Sequence, residues 1–178
     1  MQIKIRTASL KDIEKYTGLL QQSYQNNYVK EDVGLIKDCF SKEIFNNIAT
    51  QEYLKSNLIK TPEQKTWLVF DEAELIGSIT CSLKNEREAE FKGFYVQEKY
   101  QGQKLGQTIY NKAAEFAGNR DLLLDVFIYN IKAIKIYKKW GWKLDESRGD
   151  KGYFTRHWPE WPKELEMECL YLRLKRKV

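Results

Sequence analysis

Apolar and polar residues change period several times along the chain, and each change marks an element. Ile3 and Ile5 alternate with Gln2, Lys4 and Arg6, the period-two pattern of a strand. Ser9-Leu10-Lys11-Asp12 then has the form of a helix start. Ile13, Tyr16, Leu20 and Tyr24 recur at helical spacing, which predicts an amphipathic helix over residues 9–24. Leu35, Ile36, Cys39 and Phe40, followed by Ile44, Phe45 and Ile48, predict one or two further short helices before Thr61-Pro62 breaks the run. Residues 66–70 and 75–83, separated by the polar Asp71-Glu72-Ala73-Glu74, predict a hairpin. Residues 89–96, rich in aromatic and branched side chains, predict a third strand.

The second half alternates helix and strand. A polar turn over residues 97–104 leads into a helix that carries Ile109, Ala113, Phe116 and Ala117 on one face, with Gly118 as its stop. Residues 122–128 read as a buried strand with Asp125 inside it. Asn130 then caps a helix whose inner face is Ala133, Ile136, Tyr137 and Trp140, closed by Gly141. A last strand is expected over residues 167–174. Strand–helix–strand passages after an antiparallel hairpin imply an α/β or α+β fold, a mixed sheet covered by helices. Without a repeat or a linker, residues 1–178 are expected to form one domain.

Composition narrows the function classes. Of the 178 residues 42% are hydrophobic and 13% aromatic, too apolar for a disordered chain, yet no stretch approaches the roughly 20 apolar residues of a membrane-spanning helix. The alternating N-terminus lacks the apolar core of a secretory signal, so the cytoplasm is the expected location. Cys39, Cys81 and Cys169 are odd in number and far apart, which removes a disulfide framework and a paired Cys-x-x-Cys motif and predicts buried, reduced thiols. The single histidine, His157, excludes a multi-histidine zinc site and reads as a loop residue rather than a base, so chemistry without a metal is expected. The net charge of +5 is mild. Its clusters at Lys132, Lys135, Lys138, Lys139 and Lys143, and at Arg173, Lys175, Arg176 and Lys177, read as a solvated helix face and a solubilising tail rather than a nucleic-acid surface.

The informative stretch is the strand ending at Val96, the turn after it and the helix beginning there. A helix N-terminus offers unpaired N–H groups and the positive end of a dipole, so this turn suits a pyrophosphate; on spacing alone it also suits an ordinary strand-to-helix connection. Three groups of residues follow in order: Gln101-Gly102-Gln103-Lys104-Leu105-Gly106, Asn130-Ile131-Lys132-Ala133 with Tyr137, and Gly141-Trp142. Together they make a sequence that resembles the GNAT superfamily of acyl-coenzyme A dependent N-acetyltransferases, closely over residues 66–144. Lys104 departs from the pattern, standing where glycine is usual, at a turn position that favours a positive φ angle.

The resemblance implies a GNAT-like, mostly antiparallel central sheet with helices on both faces, and acetyl-CoA as cosubstrate with no metal. It assigns Gln101, Gly102, Gln103, Lys104, Leu105, Gly106 and Gln107 to the pyrophosphate, and the backbone of Phe94, Tyr95 and Val96, with Asn130, to the pantetheine arm. A bulge would splay that strand from its neighbour. Tyr137 would protonate the departing thiolate, although by itself it also reads as a core aromatic. Glu90 is the candidate base, placed by alternation on the face of Lys92, Phe94 and Val96; its plain reading is a solvated strand carboxylate. Lys139 would meet a phosphate, or simply sit well near a helix C-terminus. Tyr24, Tyr28, Glu31 and Asp32 would line an acceptor groove for a cationic amine, or be surface helix ends with packed tyrosines. Residues 152–164, with His157-Trp158-Pro159-Glu160-Trp161-Pro162, form an aromatic loop placed to cover the site.

The resulting expectation is acetyl transfer to a primary amine of a small molecule by direct attack in a ternary complex. Similarity to the bacterial polyamine acetyltransferase branch ranks polyamines and amino-acid-like amines first. A peptide or protein N-acetyltransferase and a non-catalytic CoA-binding regulatory module are the alternatives. The expected partners are the amine acceptor and, as an assembly, a homodimer; nucleic acid and membrane are not expected.

Overall fold

The computed structural model describes residues 2–176. Eight strands, β1 (Ile3–Thr7), β2 (Gln64–Asp71), β3 (Glu74–Leu83), β4 (Glu88–Val96), β5 (Asp121–Phe127), β6 (Lys143–Leu144), β7 (Tyr153–Arg156) and β8 (Met167–Leu174), form one sheet. Its order is β1-β2-β3-β4-β5-β8-β6, with β7 also on β8, and every pair is antiparallel except β4 with β5. The mixed, mostly antiparallel sheet expected from the sequence is the one observed.

Helices cover both faces, which is why β2 and β3 read as nearly continuous apolar runs. Trp67 and Val69 pack with Ile109 and Ala113 of α4 (Leu105–Ala117). Leu68 and Phe70 pack on the opposite face with Tyr16 and Leu20 of α1 (Ile13–Tyr28) and with Leu54 and Leu58. The first helix is displaced from the expected span, because residues 10–12 form a 3-10 turn before it. Asp12 anchors that turn: it accepts from the Ser9 N–H at 2.9 Å and from the Arg6 guanidinium at 2.5 and 2.8 Å. The two short helices are α2 (Lys42–Phe45) and α3 (Ile48–Leu58). The second is longer than the pattern suggested, since exposed Ile48 and Tyr53 blur its apolar stripe.

Three sequence expectations are corrected. On α5 (Ile131–Lys139), Ile134 and Tyr137 are buried while Ile136 is 42% exposed, so Ile136 belongs to an open cleft and not to the core. Residues 152–164 are not wholly a loop: Tyr153–Arg156 pairs with β8 before the aromatic segment begins. Arg173 is no solubilising tail residue. It sits on β8 and pairs with Glu88 at 2.7 Å, Asp121 at 3.0 Å and Asp145 at 2.9 Å, tying β4, β5 and the segment after β6 together. Lys177 lies outside the described residues. All three cysteines are buried and unpaired. Among the described residues no helix is long and apolar enough to cross a membrane.

Candidate active site

The site begins where two strands part. β4 and β5 pair over only Glu88–Asp121, Ala89–Leu122 and Glu90–Leu123, so from Phe91 to Val96 the β5-facing edge of β4 has no strand partner. On the other side, Ser78 faces Tyr95 while Thr80 faces Lys92, which leaves one extra residue in β4 and defines a bulge at Gly93. Gly93 has φ +54°, and a Cβ there would lie 2.8 Å from the Tyr16 hydroxyl, so glycine is the residue that fits. The Ser78 hydroxyl donates to the Gly93 carbonyl at 2.7 Å and pins the bulge.

The bulge also reverses the alternation. Ala89, Phe91, Phe94 and Val96 pack on the α4 side, whereas Glu90 and Lys92 stand opposite Ser82 and Thr80 and share the α1 side with Tyr95. Glu90 therefore does not share a face with Phe94 and Val96. Its carboxylate lies 3.4 Å from the Lys92 ammonium and 3.5 Å from that of Lys84, at the point where the strands diverge.

A cavity of about 1050 Å³ follows the splay from the start of α4 to the aromatic end of α1. At its outer end the turn before α4 takes positive φ at Gly102 (+79°) and Lys104 (+63°). Lys104 therefore adopts the left-handed conformation that glycine would adopt more easily. The N–H of Thr108 bonds back to the Lys104 carbonyl at 3.0 Å, while the N–H groups of residues 102–107 have no protein acceptor among the described residues. A Cβ on Gly106 would sit 3.7 Å from Val96 Cγ2, so the first turn of α4 rests directly on β4. The Gln101 side chain donates to the Val96 carbonyl at 2.9 Å and fastens the turn to the end of the strand. Gln101, Gly102, Lys104, Gly106 and Gln107 line the cavity. Leu105 is buried in the core and the Gln103 side chain bonds the Lys99 carbonyl at 3.3 Å; neither of these two expected contacts lines the cavity. Lys139 lines this end, and so does Lys132, which the sequence did not single out as a ligand contact.

Midway, Asn130 accepts from the Ala133 N–H at 3.2 Å and starts α5, which carries Tyr137 to the cavity wall. The Tyr137 ring lies 6.4 Å from Phe94 and 5.8 Å from Trp142, centroid to centroid, and among the described residues its hydroxyl has no hydrogen-bond partner. Burial, reinforced by the negative charge of Asp125, holds that phenol protonated far above its ordinary range.

The inner end is aromatic. Tyr24 packs on Tyr28, Phe45, Tyr95 and Trp158 at 4.5 to 5.8 Å, and Tyr28 shares a 2.8 Å hydrogen bond with Tyr95. Burial pushes the Tyr24 phenol up to about 12. Tyr24 and Tyr28 line the cavity; Glu31 does not. Glu31 is exposed in a 3-10 turn, and Asp32 beside it pairs with Lys30 at 2.8 Å, so this acidic pair is not part of the pocket. Besides Glu90 and Lys92 of β4, the charged residues actually present are Asp125, Arg148, Arg156 and Glu160. Of these Asp125 left a signal, a charge inside an apolar strand, and Glu160 falls in the aromatic segment expected to cover the site; Arg148 and Arg156 left none. Trp158 and Pro159 close over this end, held by Trp161, whose Nε1 donates to the Cys39 carbonyl at 2.9 Å. His157 stays outside, exposed, with Nδ1 2.9 Å from the Leu165 carbonyl.

Comparison with known proteins agrees with this architecture. The chain is similar to the structure of PaiA N-acetyltransferase from Thermoplasma acidophilum in complex with coenzyme A, with 18% identity and a TM-score of 0.72 over 99% of this chain and 100% of that one. It is similar to an acetyltransferase of the GNAT family from Streptococcus pneumoniae, at 18% identity and TM-score 0.62 over 97% and 100%. Mutant forms of the spermidine/spermine N-acetyltransferase SpeG from Vibrio cholerae match at 17% identity and TM-score 0.61 over 97% and 93%. No functionally curated protein matches in sequence. These identities speak for the fold. The profile of the Acetyltransferase (GNAT) family matches residues 30–142, more than half of the sequence, and the chain therefore belongs to the GNAT family of acetyltransferases.

Proposed function

We propose that this acetyltransferase moves the acetyl group of acetyl-CoA to a primary amine of a small polyamine or amino-acid-like molecule, by direct attack in a ternary complex. The observation that carries the reading is the splay itself: an unpartnered β4 edge that joins an unsatisfied N–H cradle at one end to an aromatic lobe at the other. The residues present fit the coenzyme. The N–H groups of residues 102–107 offer a pyrophosphate its hydrogen bonds without a metal, with Lys104, Lys132 and Lys139 as nearby cations. The free edge of Phe94, Tyr95 and Val96 can ladder with an extended amide-bearing arm, and Asn130 borders the same channel.

Bound acetyl-CoA supplies an activated acetyl thioester. The chain's part is to hold it still, to accept a proton from the amine and to give one to sulfur. An alkylamine with a pKa near that of lysine, about 10.4, must lose a proton before it can attack. Glu90, at the point of divergence, takes that proton directly or through water. The amine nitrogen then bonds to the acetyl carbon as the carbon–sulfur bond breaks, and Tyr137 supplies the proton that sulfur needs; one proton leaves nitrogen and one reaches sulfur. The neutral Tyr137 phenol, without a protein partner, is free to donate. No cysteine enters this route, since all three are buried and Cys81 and Cys169 are pushed up to about 12 by desolvation.

The cover of Trp158 and Pro159, with Trp158 packed 5.4 Å from Tyr24, favours a small acceptor over a peptide. Similarity to the spermidine/spermine N-acetyltransferase SpeG supports an amine acceptor. The test is thiol release from acetyl-CoA with a panel of polyamines, amino acids and peptides. Turnover on small amines is expected; coenzyme binding without turnover on any amine would instead make the chain a binding module.

A further inference from the structure

The inner lobe holds two arginines that the folded chain leaves underused. Arg156 on β7 donates from Nη2 to Asp125 Oδ1 at 2.9 Å, and the rest of its guanidinium has no protein acceptor among the described residues, although its side chain is only 31% exposed. Among the described residues Arg148 makes no side-chain hydrogen bond, and its Nη1 is buried without a partner. Both line the cavity. Both are also held in place: Arg148 lies over the Tyr171 ring at 4.1 Å, Tyr171 stacks on Phe154 at 4.2 Å, and Arg156 lies over Phe154 at 5.4 Å. Arg148 Nη1 has no accessible surface and does not itself reach the cavity, but the Arg156 guanidinium keeps donors left over after Asp125 and is placed to take an anion, with Arg148 adding positive charge across the Tyr171–Phe154 stack.

The lobe's charge balance points the same way. Its carboxylates are Glu90, Asp125 and Glu160. Asp125 is occupied by Arg156, and Glu90 is flanked by Lys84 and Lys92. With Lys92, Arg148 and Arg156 facing them, there is no negative excess to hold the several ammonium groups of a polyamine. We infer that the acceptor is an aminocarboxylate: its carboxylate meets the free donors of the Arg156 guanidinium, with Arg148 as a second positive charge beyond the stacked rings, and this contact turns its amine toward Glu90 and the splay. A planar fork matched to a planar carboxylate fixes orientation as well as position, which a diamine sliding in an aromatic channel would lack.

This inference rests on the reading of the inner lobe as the acceptor site, and it chooses between the two small-amine classes proposed above. The test uses matched pairs, each an amino acid and its decarboxylated amine, such as lysine with 1,5-diaminopentane, and adds spermidine. Thiol release and calorimetric binding to the coenzyme A complex are both measured. The carboxylated member should have a KM lower by about tenfold or more, the worth of one charge-assisted contact. Arg156→Lys, which keeps a cation beside Asp125, should raise KM for the amino acid about tenfold with little change in kcat, and far more than for its partner amine. Arg148→Gln removes the more distant charge and its contact with the Tyr171 ring; with thermal unfolding used to check that the fold is kept, it should weaken the amino acid selectively, by less than Arg156→Lys does. Turnover that prefers the decarboxylated amines or spermidine, with KM ratios untouched by both variants, would overturn the aminocarboxylate while leaving amine acetylation intact. Absence of turnover on any amine would overturn the broader reading; the binding heat of the amino acid, and its loss in Arg156→Lys, would then still decide whether the lobe takes a carboxylate.

Discussion

The two ends of the cleft are walled by different material. The outer end is main chain: the N–H groups of residues 102–107, two positive-φ residues, and the bare edge of β4. The inner end is side chain, contributed by α1, β4, β5, β7, β8 and the Trp158 segment. Main-chain donors recognise what every substrate pair shares, a pyrophosphate and an amide arm, and they survive substitution of the side chains around them. Side chains recognise what differs between acceptors, and each can be exchanged without disturbing the sheet. On the proposed reading, coenzyme binding and acceptor choice are separable in this chain, with Tyr137 placed between the two ends.

The largest effect is expected at that meeting point. Tyr137→Phe should lower kcat about 100-fold or more and leave the coenzyme A Kd within about twofold, since the hydroxyl has no protein partner to lose. Steady-state kinetics with calorimetry checks both. An unchanged kcat would return Tyr137 to the core and leave the two ends joined by no chemistry.

A second substitution separates the cleft from its frame. The Asp12 side chain is 7% exposed and its carboxyl is held down to about 2, chiefly by its hydrogen bonds from Arg6. A depressed folded-state value means stability that is present above the unfolded value of about 3.9 and lost as pH falls toward 2. The Arg6 side chain is 37% exposed, so solvent screens part of the pair. Asp12→Asn should cost about 1–2 kcal/mol at neutral pH, with the deficit closing between about pH 4 and 2. Urea unfolding across that range, beside unchanged kcat for any accepted amine, would show that the frame and the cleft respond independently.

How far each end could be read from the sequence follows from the same contrast. The outer end is written in consecutive residues, Gln101 to Gln107 and Asn130 to Trp142, where helical spacing and capping residues leave a local signal. The inner end is assembled from Tyr24, Asp125, Arg148, Arg156 and Trp158, which only the folded sheet brings together. β6 and β7 are two and four residues long, too short for a period to register. Glu31 is expected in the acceptor groove by its place after the first helix and its charge, yet in its 3-10 turn it does not line the pocket. The bulge at Gly93 defeats simple alternation, and with it the face expected for Glu90.

The smallest effect is expected at Lys104. Its left-handed φ of +63° costs about 1 kcal/mol, which glycine would relieve while losing about 0.5–1 kcal/mol through a freer unfolded chain. Lys104→Gly should therefore change stability by less than about 1 kcal/mol and weaken coenzyme A binding about threefold through the lost ammonium. Thermal unfolding and salt-dependent calorimetry measure the two. Tighter binding would mean that the lysine crowds the turn.

The central claim, that a main-chain cradle at the start of α4 receives the coenzyme, is tested most directly by amide chemical shifts on titration with coenzyme A. The N–H resonances of residues 102–107 should move with one saturating isotherm, together with those of Phe94 to Val96. Saturation of the protein with those amides unmoved, or no binding at all, would contradict it.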